Sequence, residues 1–171
     1  MIHKIVSKQH NSKMCFVCGL INQFGIKAHF YITENQELVA IFKPADEHQS
    51  YPGRLHGGIA SAILDETIGR AILNKYETEV WGVTIELNLK YKKPIPLNEE
   101  IKVVGRIVSE NNRIFEGTGE IYLQNGDVAV TAEGKYLKVP LEKIADFDRE
   151  ENDWRVVHLE NEPGEIEINT H

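Results

Sequence analysis

The strongest period-2 signal in the chain is "WGVTIELNLKY", residues 81–91. Trp81, Val83, Ile85, Leu87, Leu89 and Tyr91 alternate with Gly82, Thr84, Glu86, Asn88 and Lys90, which predicts a half-buried strand. "KKPIPL" ends it, because proline cannot donate to a central ladder. Similar runs predict strands at 25–33 and 37–43, turned by "ENQ", and at 100–108, 113–123 and 128–139. "SENN" and "QNGD" join the last three, with Asn125-Gly126 at the centre of the second turn. Hairpin-length connections make these strands antiparallel. Between the two groups, the residues from about Gly58 to Lys75 are apolar around most of a helical circumference and predict one long helix. Glu66 and Arg70 stand i,i+4 in the favourable order and are expected to pair on its exposed side. Two strands, one buried helix and four strands predict an α+β fold whose antiparallel sheet wraps around the helix.

A chain of 171 residues, 42% hydrophobic and 26% charged, suits one soluble domain with a real core. No stretch approaches ~18–20 consecutive apolar residues, so no membrane span is expected. The start, "MIHKIVSKQHNSKM", has no apolar signal region, and the cytoplasm is the expected compartment. Charge divides the chain. Residues 140–171 hold 10 acids and 3 bases, whereas 1–139 hold 16 of each, so the net −7 belongs to the tail. The expected organisation is one domain over 1–139 and an acidic extension over 140–171. Trp154, Val156 and Val157 could dock that extension on the body or on a partner chain. A neutral body with an acidic tail argues against a nucleic-acid partner.

The two cysteines, Cys15 and Cys18, lie in "CFVCG". A disulfide does not suit the cytoplasm. Zinc wants about four ligands, and the nearest later histidine, His29, falls in a predicted strand. A dithiol redox site is a further option. A structural or inert pair is the expectation, and no metal site is expected.

The candidate chemistry sits at "RLHGGIASAILDETIGRA", residues 54–71. Asp65 lies in the middle of an apolar helix, where an ionised carboxylate is costly unless paired or hydrogen-bonded. It could lie on a narrow polar stripe facing solvent, or be held where water or a substrate reaches it. Gly57 and Gly58 stand at the helix start, where free N–H groups and the helix dipole favour negative charge and glycine lets another molecule approach the backbone. A carbonyl placed there would be polarised and its oxyanion stabilised. The plainer reading is a tight turn.

"YPGRLHGGIASAILDETIGRA" followed by "GVTIELNLKYKKPIPL" resembles the hotdog-fold acyl-CoA thioesterases, in particular the phenylacetic-acid-degradation type and the mammalian thioesterase-superfamily enzymes. The resemblance covers about residues 15–139, and "CFVCGLINQFGI" recurs in bacterial proteins of this kind. It implies a single-domain hotdog fold and a homodimer in which the strand after the helix pairs with its twin. Two active sites would lie at that interface, and dimers could pair again into homotetramers. It implies acyl-CoA as substrate and no cofactor, since coenzyme A is part of the substrate. Asp65 occupies the catalytic carboxylate position, as general base or nucleophile. Gly57 occupies the oxyanion position, with His56 helping to place the carbonyl, and Thr84 falls where relatives orient the attacking water. Ser50 stands where some relatives carry asparagine, with His48 or Gln49 as possible substitutes. Gly58 joins the substrate-binding set. Lys90 and Lys92, with Lys93 beside them, form a basic cluster that would suit the phosphates of coenzyme A or simply serve solubility. Glu66 is the rival carboxylate. A hotdog hydratase or dehydratase and a non-catalytic acyl-CoA-binding protein are the alternative functions.

Overall fold

A computed structural model describes residues 1–76 and 79–168. Its eight strands are β1 (Ile2–Lys8), β2 (His29–Thr33), β3 (Leu38–Phe42), β4 (Val80–Tyr91), β5 (Ile101–Glu110), β6 (Ile114–Tyr122), β7 (Val128–Pro140) and β8 (Glu165–Glu167). Helix α1 spans Gly57–Arg70, and the one-turn α2 spans Leu73–Tyr76. The strands form one sheet in the order β4-β7-β6-β5-β3-β2-β1-β8, with every neighbouring pair antiparallel. This is the hotdog architecture expected from the sequence: a central helix held against a wrapping sheet.

Helix α1 buries Ala60, Ile63, Leu64, Thr67 and Ile68, spaced by three and one as a sheet-facing stripe requires. Glycines in the strands let it sit close. A Cβ on Gly105 would lie 2.8 Å from the Thr67 carbonyl oxygen, and one on Gly117 would lie 2.5 Å from Ile68 Cγ2. The expected single helix to Lys75 is interrupted. The Ala71 N–H turns back to Ile68 O at 3.2 Å, an i→i−3 contact that closes α1 before α2 begins.

Other boundaries also shift. Only 29–33 of the expected strand 25–33 joins the sheet. Ile26 and Ala28 instead donate their N–H groups to Phe16 O and Val17 O, tying the chain to the "CFVCG" segment. The "QNGD" turn is a three-residue loop, closed by Gly126 N–H to Leu123 O at 2.9 Å with Gly126 at φ 85°, and not a two-residue turn centred on Asn125-Gly126. Strand β1 was not predicted. The tail supplies β8, which pairs with β1, and places Ile166 and Ile168 in a second apolar cluster with Tyr31, Val39, Val104 and Tyr122. Trp154 docks on the body, stacked on His10 with ring centroids 5.3 Å apart and packed on Trp81 at 5.2 Å.

Arg70 corrects a further expectation. It does meet Glu66 across one turn at 3.4 Å, but it is buried. Its guanidinium lies 4.2 Å from the Phe30 ring centroid and 5.2 Å from that of Trp154, and Nε donates to Gln9 Oε1 at 3.0 Å. The N-terminal segment and the tail cover the face of α1 that the i,i+4 pattern assigned to solvent.

Candidate active site

Asp65 projects from the flank of the buried stripe of α1, half-buried. Thr84 Oγ1 donates to its Oδ1 at 2.7 Å, and the Tyr136 hydroxyl donates to the same oxygen at 3.2 Å and to the Asp65 carbonyl at 3.3 Å. Among the described residues, every hydrogen bond to this carboxylate falls on Oδ1, which leaves Oδ2 for another molecule. Burial and the Asp65 charge push the Tyr136 phenol well above its ordinary range, so it stays a donor.

A β-bulge delivers Thr84. Strict alternation places Thr84 on the opposite face from Tyr91. The β4–β7 register slips between Thr84 and Glu86, which pair with the consecutive residues Tyr136 and Lys135. Ile85 is the extra residue, 49% exposed. The bulge reverses the parity, so Thr84 faces Asp65 while Leu87, Leu89 and Tyr91 also pack towards the helix. Tyr136 sits directly opposite Thr84, and the sequence reading missed it because β4 and β7 are far apart in the chain.

The helix entrance is built around His56. It is the N-cap, and its Nδ1 accepts the Gly58 N–H at 2.9 Å, which puts the ring proton on Nε2. That bond takes the Gly58 N–H, so Gly58 does not offer a donor to a substrate here. No described residue accepts the Gly57 N–H, at the first position of α1. Its carbonyl accepts from Tyr91 Oη at 2.8 Å and from Ser61 Oγ at 3.1 Å, which fixes the first turn. Tyr91 is a second contact of this region that the sequence reading missed.

The remaining candidates lie apart from this pair of groups. Ser50 is exposed in the preceding loop, where its N–H bonds Arg54 O at 2.8 Å. His48 and Gln49 do not replace it. His48 is buried between the Ala45 N–H and Phe24 O, and Gln49 Oε1 accepts the Gly53 N–H at 2.9 Å. Lys90 follows Leu89 and precedes Tyr91, so it points to the sheet face opposite the helix, where it borders Thr131 and Glu133. Lys93 pairs with Asp127 at 2.6 Å, and Lys92 is exposed. The rival Glu66 turns the other way from Asp65, towards Arg70 and Cys15. Loss of water pushes its carboxyl up to about 7 against the pull of Arg70.

The match to known families falls on this same region. A family model described as thioesterase superfamily matches residues 52–130, which run from the loop before α1 to the start of β7. Residues 52–130 are thus similar to the thioesterase superfamily. Acyl-coenzyme A thioesterase THEM4 of Mus musculus is 28% identical over 117 residues, 68% of this chain and 49% of that protein. Acyl-coenzyme A thioesterase 13 of Mus musculus is 27% identical over 79 residues, 46% of this chain and 56% of that protein. The chain thus spans about half the length of the curated relatives it matches. A crystal structure of a thioesterase superfamily protein superposes with a TM-score of 0.59 at 25% identity, covering 64% of this chain and 53% of that one. Within the matched region, Asp65 and the Gly57 N–H lie on one helix, eight residues or about 12 Å apart.

Proposed function

We propose that this chain hydrolyses acyl-CoA thioesters to a free acid and coenzyme A, with Asp65 as the catalytic carboxylate. The observation that carries the reading is the asymmetry of Asp65: two hydroxyl donors hold Oδ1 and leave Oδ2 open. Such a carboxylate is oriented and partly solvated, and it can take a proton from water or attack the acyl carbon. The unpartnered Gly57 N–H, at the positive end of α1, polarises the thioester carbonyl and stabilises its oxyanion. His56 presents Nε2–H at the same entrance and helps place the carbonyl.

One chain cannot bring these groups together, because about 12 Å of helix separates a carbonyl on Gly57 from a carboxylate at Asp65. A second copy related by a two-fold axis does so with an antiparallel α1. Strand β4 supports this arrangement. It is an edge strand of 12 residues with one open row of backbone groups, and the twin β4 of a homodimer would cover it. We further place the enzyme in the cytoplasm, as a homodimer able to pair into a homotetramer. Among the described residues, no helix is long and apolar enough to cross a membrane. A solved structure of a Streptococcus pneumoniae thioesterase protein, described as with coenzyme A, shares the fold at a TM-score of 0.56 and 20% identity, covering 61% of this chain and 82% of that one. It supports acyl-CoA as the ligand class.

The test is free-thiol release from a panel of aliphatic and aromatic acyl-CoAs. Asp65→Asn should lower turnover by about 10²–10⁴-fold, as for removal of a general base. No release by the wild type across the panel would favour a binding protein. Activity retained in Asp65→Asn but lost in Glu66→Gln would move the assignment to Glu66.

A further inference from the structure

The cysteine pair acquires a third partner in the fold. "CFVCG" closes a single turn, in which the Gly19 N–H bonds Cys15 O at 2.8 Å. Only glycine permits it, since a Cβ there would lie 2.3 Å from that same oxygen. The turn aims two backbone amides at one sulfur: the Val17 and Cys18 N–H groups each donate to Cys15 Sγ at 3.4 Å. Cys18 Sγ lies beneath, buried, 3.3 Å from Ser12 Oγ. Glu66, 48 residues later, brings Oε1 to 3.9 Å from Cys15 Sγ, and all three donor atoms lie within 4.8 Å of one another. We infer that Cys15, Cys18 and Glu66 form a binding site for a thiophilic divalent cation of the zinc type, which clamps the N-terminal segment to α1 beside Asp65.

Four features support the inference. The donor set, two thiolates and a carboxylate, is one that zinc takes, with water as the fourth ligand. Zinc–sulfur bonds of about 2.3 Å and zinc–oxygen bonds of about 2.1 Å set donor atoms roughly 3.5–3.8 Å apart around a tetrahedral centre; the 3.9 Å between Cys15 Sγ and Glu66 Oε1 is close to that spacing, and no pair, at 4.8 Å or less, needs to draw in by more than about 1.3 Å. The amides on Cys15 Sγ supply the outer hydrogen bonds that hold a thiolate ligand in place. Charge also closes: a divalent cation with three anionic ligands leaves −1, and the buried Arg70, 3.4 Å from Glu66 Oε1, offsets it. Cys15 and Glu66 are both partly exposed, which leaves an entry path. Sequence spacing could not find this site, because its third ligand comes from another element.

The full-length chain, reduced and stripped with a chelator, is titrated with Co²⁺ and followed by thiolate-to-metal charge-transfer absorption, then by displacement with Zn²⁺. The expected result is saturation at one ion per chain. Cys15→Ser and Cys18→Ser should each abolish or strongly weaken the band. Glu66→Gln should lower affinity by at least about tenfold, the loss that even a supporting residue brings. Circular dichroism of each variant checks folding, and Zn²⁺ should raise the melting temperature of the wild type but not of Cys15→Ser. Absence of the band in folded, fully reduced wild type overturns the inference, including the case where the pair only oxidises to a disulfide. Equal affinity in Glu66→Gln overturns the three-ligand site.

Discussion

Replacing Thr84 by valine keeps its shape and removes the hydroxyl that fixes Asp65. The bond lost is 2.7 Å long and ends on a carboxylate oxygen, in the short range of charge-assisted hydrogen bonds. Bonds to charged groups are worth about 1.5–3 kcal/mol, and the exposure of Thr84 argues for the middle of that range. About 2 kcal/mol corresponds to roughly a 30-fold fall in turnover. Tyr136→Phe removes a longer bond of 3.2 Å whose proton is shared with the Asp65 carbonyl, so about 1 kcal/mol and a roughly 5-fold fall are expected. The ring stays packed on Phe115, with centroids 4.9 Å apart, and folding should be unaffected. Both donors serve one oxygen, so the double variant should not show the product of the two effects. The assay is steady-state free-thiol release with kcat and KM separated, the loss falling on kcat. Thr84→Ser, which keeps the hydroxyl, should be nearly silent. A Thr84→Val enzyme with wild-type kcat, or a Thr84→Ser enzyme that falls as far, would refute the reasoning, the second by assigning the position to packing.

Gly105→Ala should destabilise the chain by about 1–3 kcal/mol, because the added Cβ meets backbone of α1 at 2.8 Å; an unchanged denaturant midpoint would contradict this. Trp154→Ala removes the residue on which His10, Arg70, Trp81 and Phe147 converge, and a loss of about 2 kcal/mol, or roughly 5 °C in melting temperature, is expected; no shift would mean the tail is not docked in solution. Lys8 holds the Glu162 carboxyl down to about 2, so its contribution to stability is present above the ordinary carboxylate range and is lost as pH falls towards 2. The stability difference between wild type and Glu162→Gln should therefore be constant above about pH 5 and vanish in acid, and a difference that grew in acid would reverse the sign of the argument.

The elements with one dominant period were legible in the sequence. Strand β4, the β5–β7 meander and the start of α1 stand within a residue or two of their expected places, and Asp65 stood out as a carboxylate in an apolar helix. What escaped depends on contacts between distant segments. The bulge at Ile85 leaves no mark in the alternation, yet it decides which face Thr84 takes. Tyr136 reaches Asp65 only because β7 is laid beside β4. Arg70 reads as a surface partner of Glu66 until Gln9, Phe30 and Trp154 close over it. Strand β1 presents His3 and Lys8 among its more buried positions, a pattern with little apolar contrast. One signal was available and unused: the mid-strand glycines of "VVGRIV" and "FEGTGEIY" mark a close backbone approach, which here is α1 itself.

The central claim is that Asp65 of one chain works with the Gly57 N–H of its twin, and subunit mixing tests it most directly. Asp65→Asn removes the carboxylate. Gly57→Pro removes the N–H at a helix position that tolerates proline, and His56 already has the extended backbone, φ −64° and ψ 132°, that a residue before proline needs. Each homodimer should be nearly inactive. In a mixed dimer one site carries both lesions and the other carries neither, and random exchange makes half of the dimers mixed. Activity should then return to about a quarter of wild type. No recovery after verified subunit exchange would contradict the shared site.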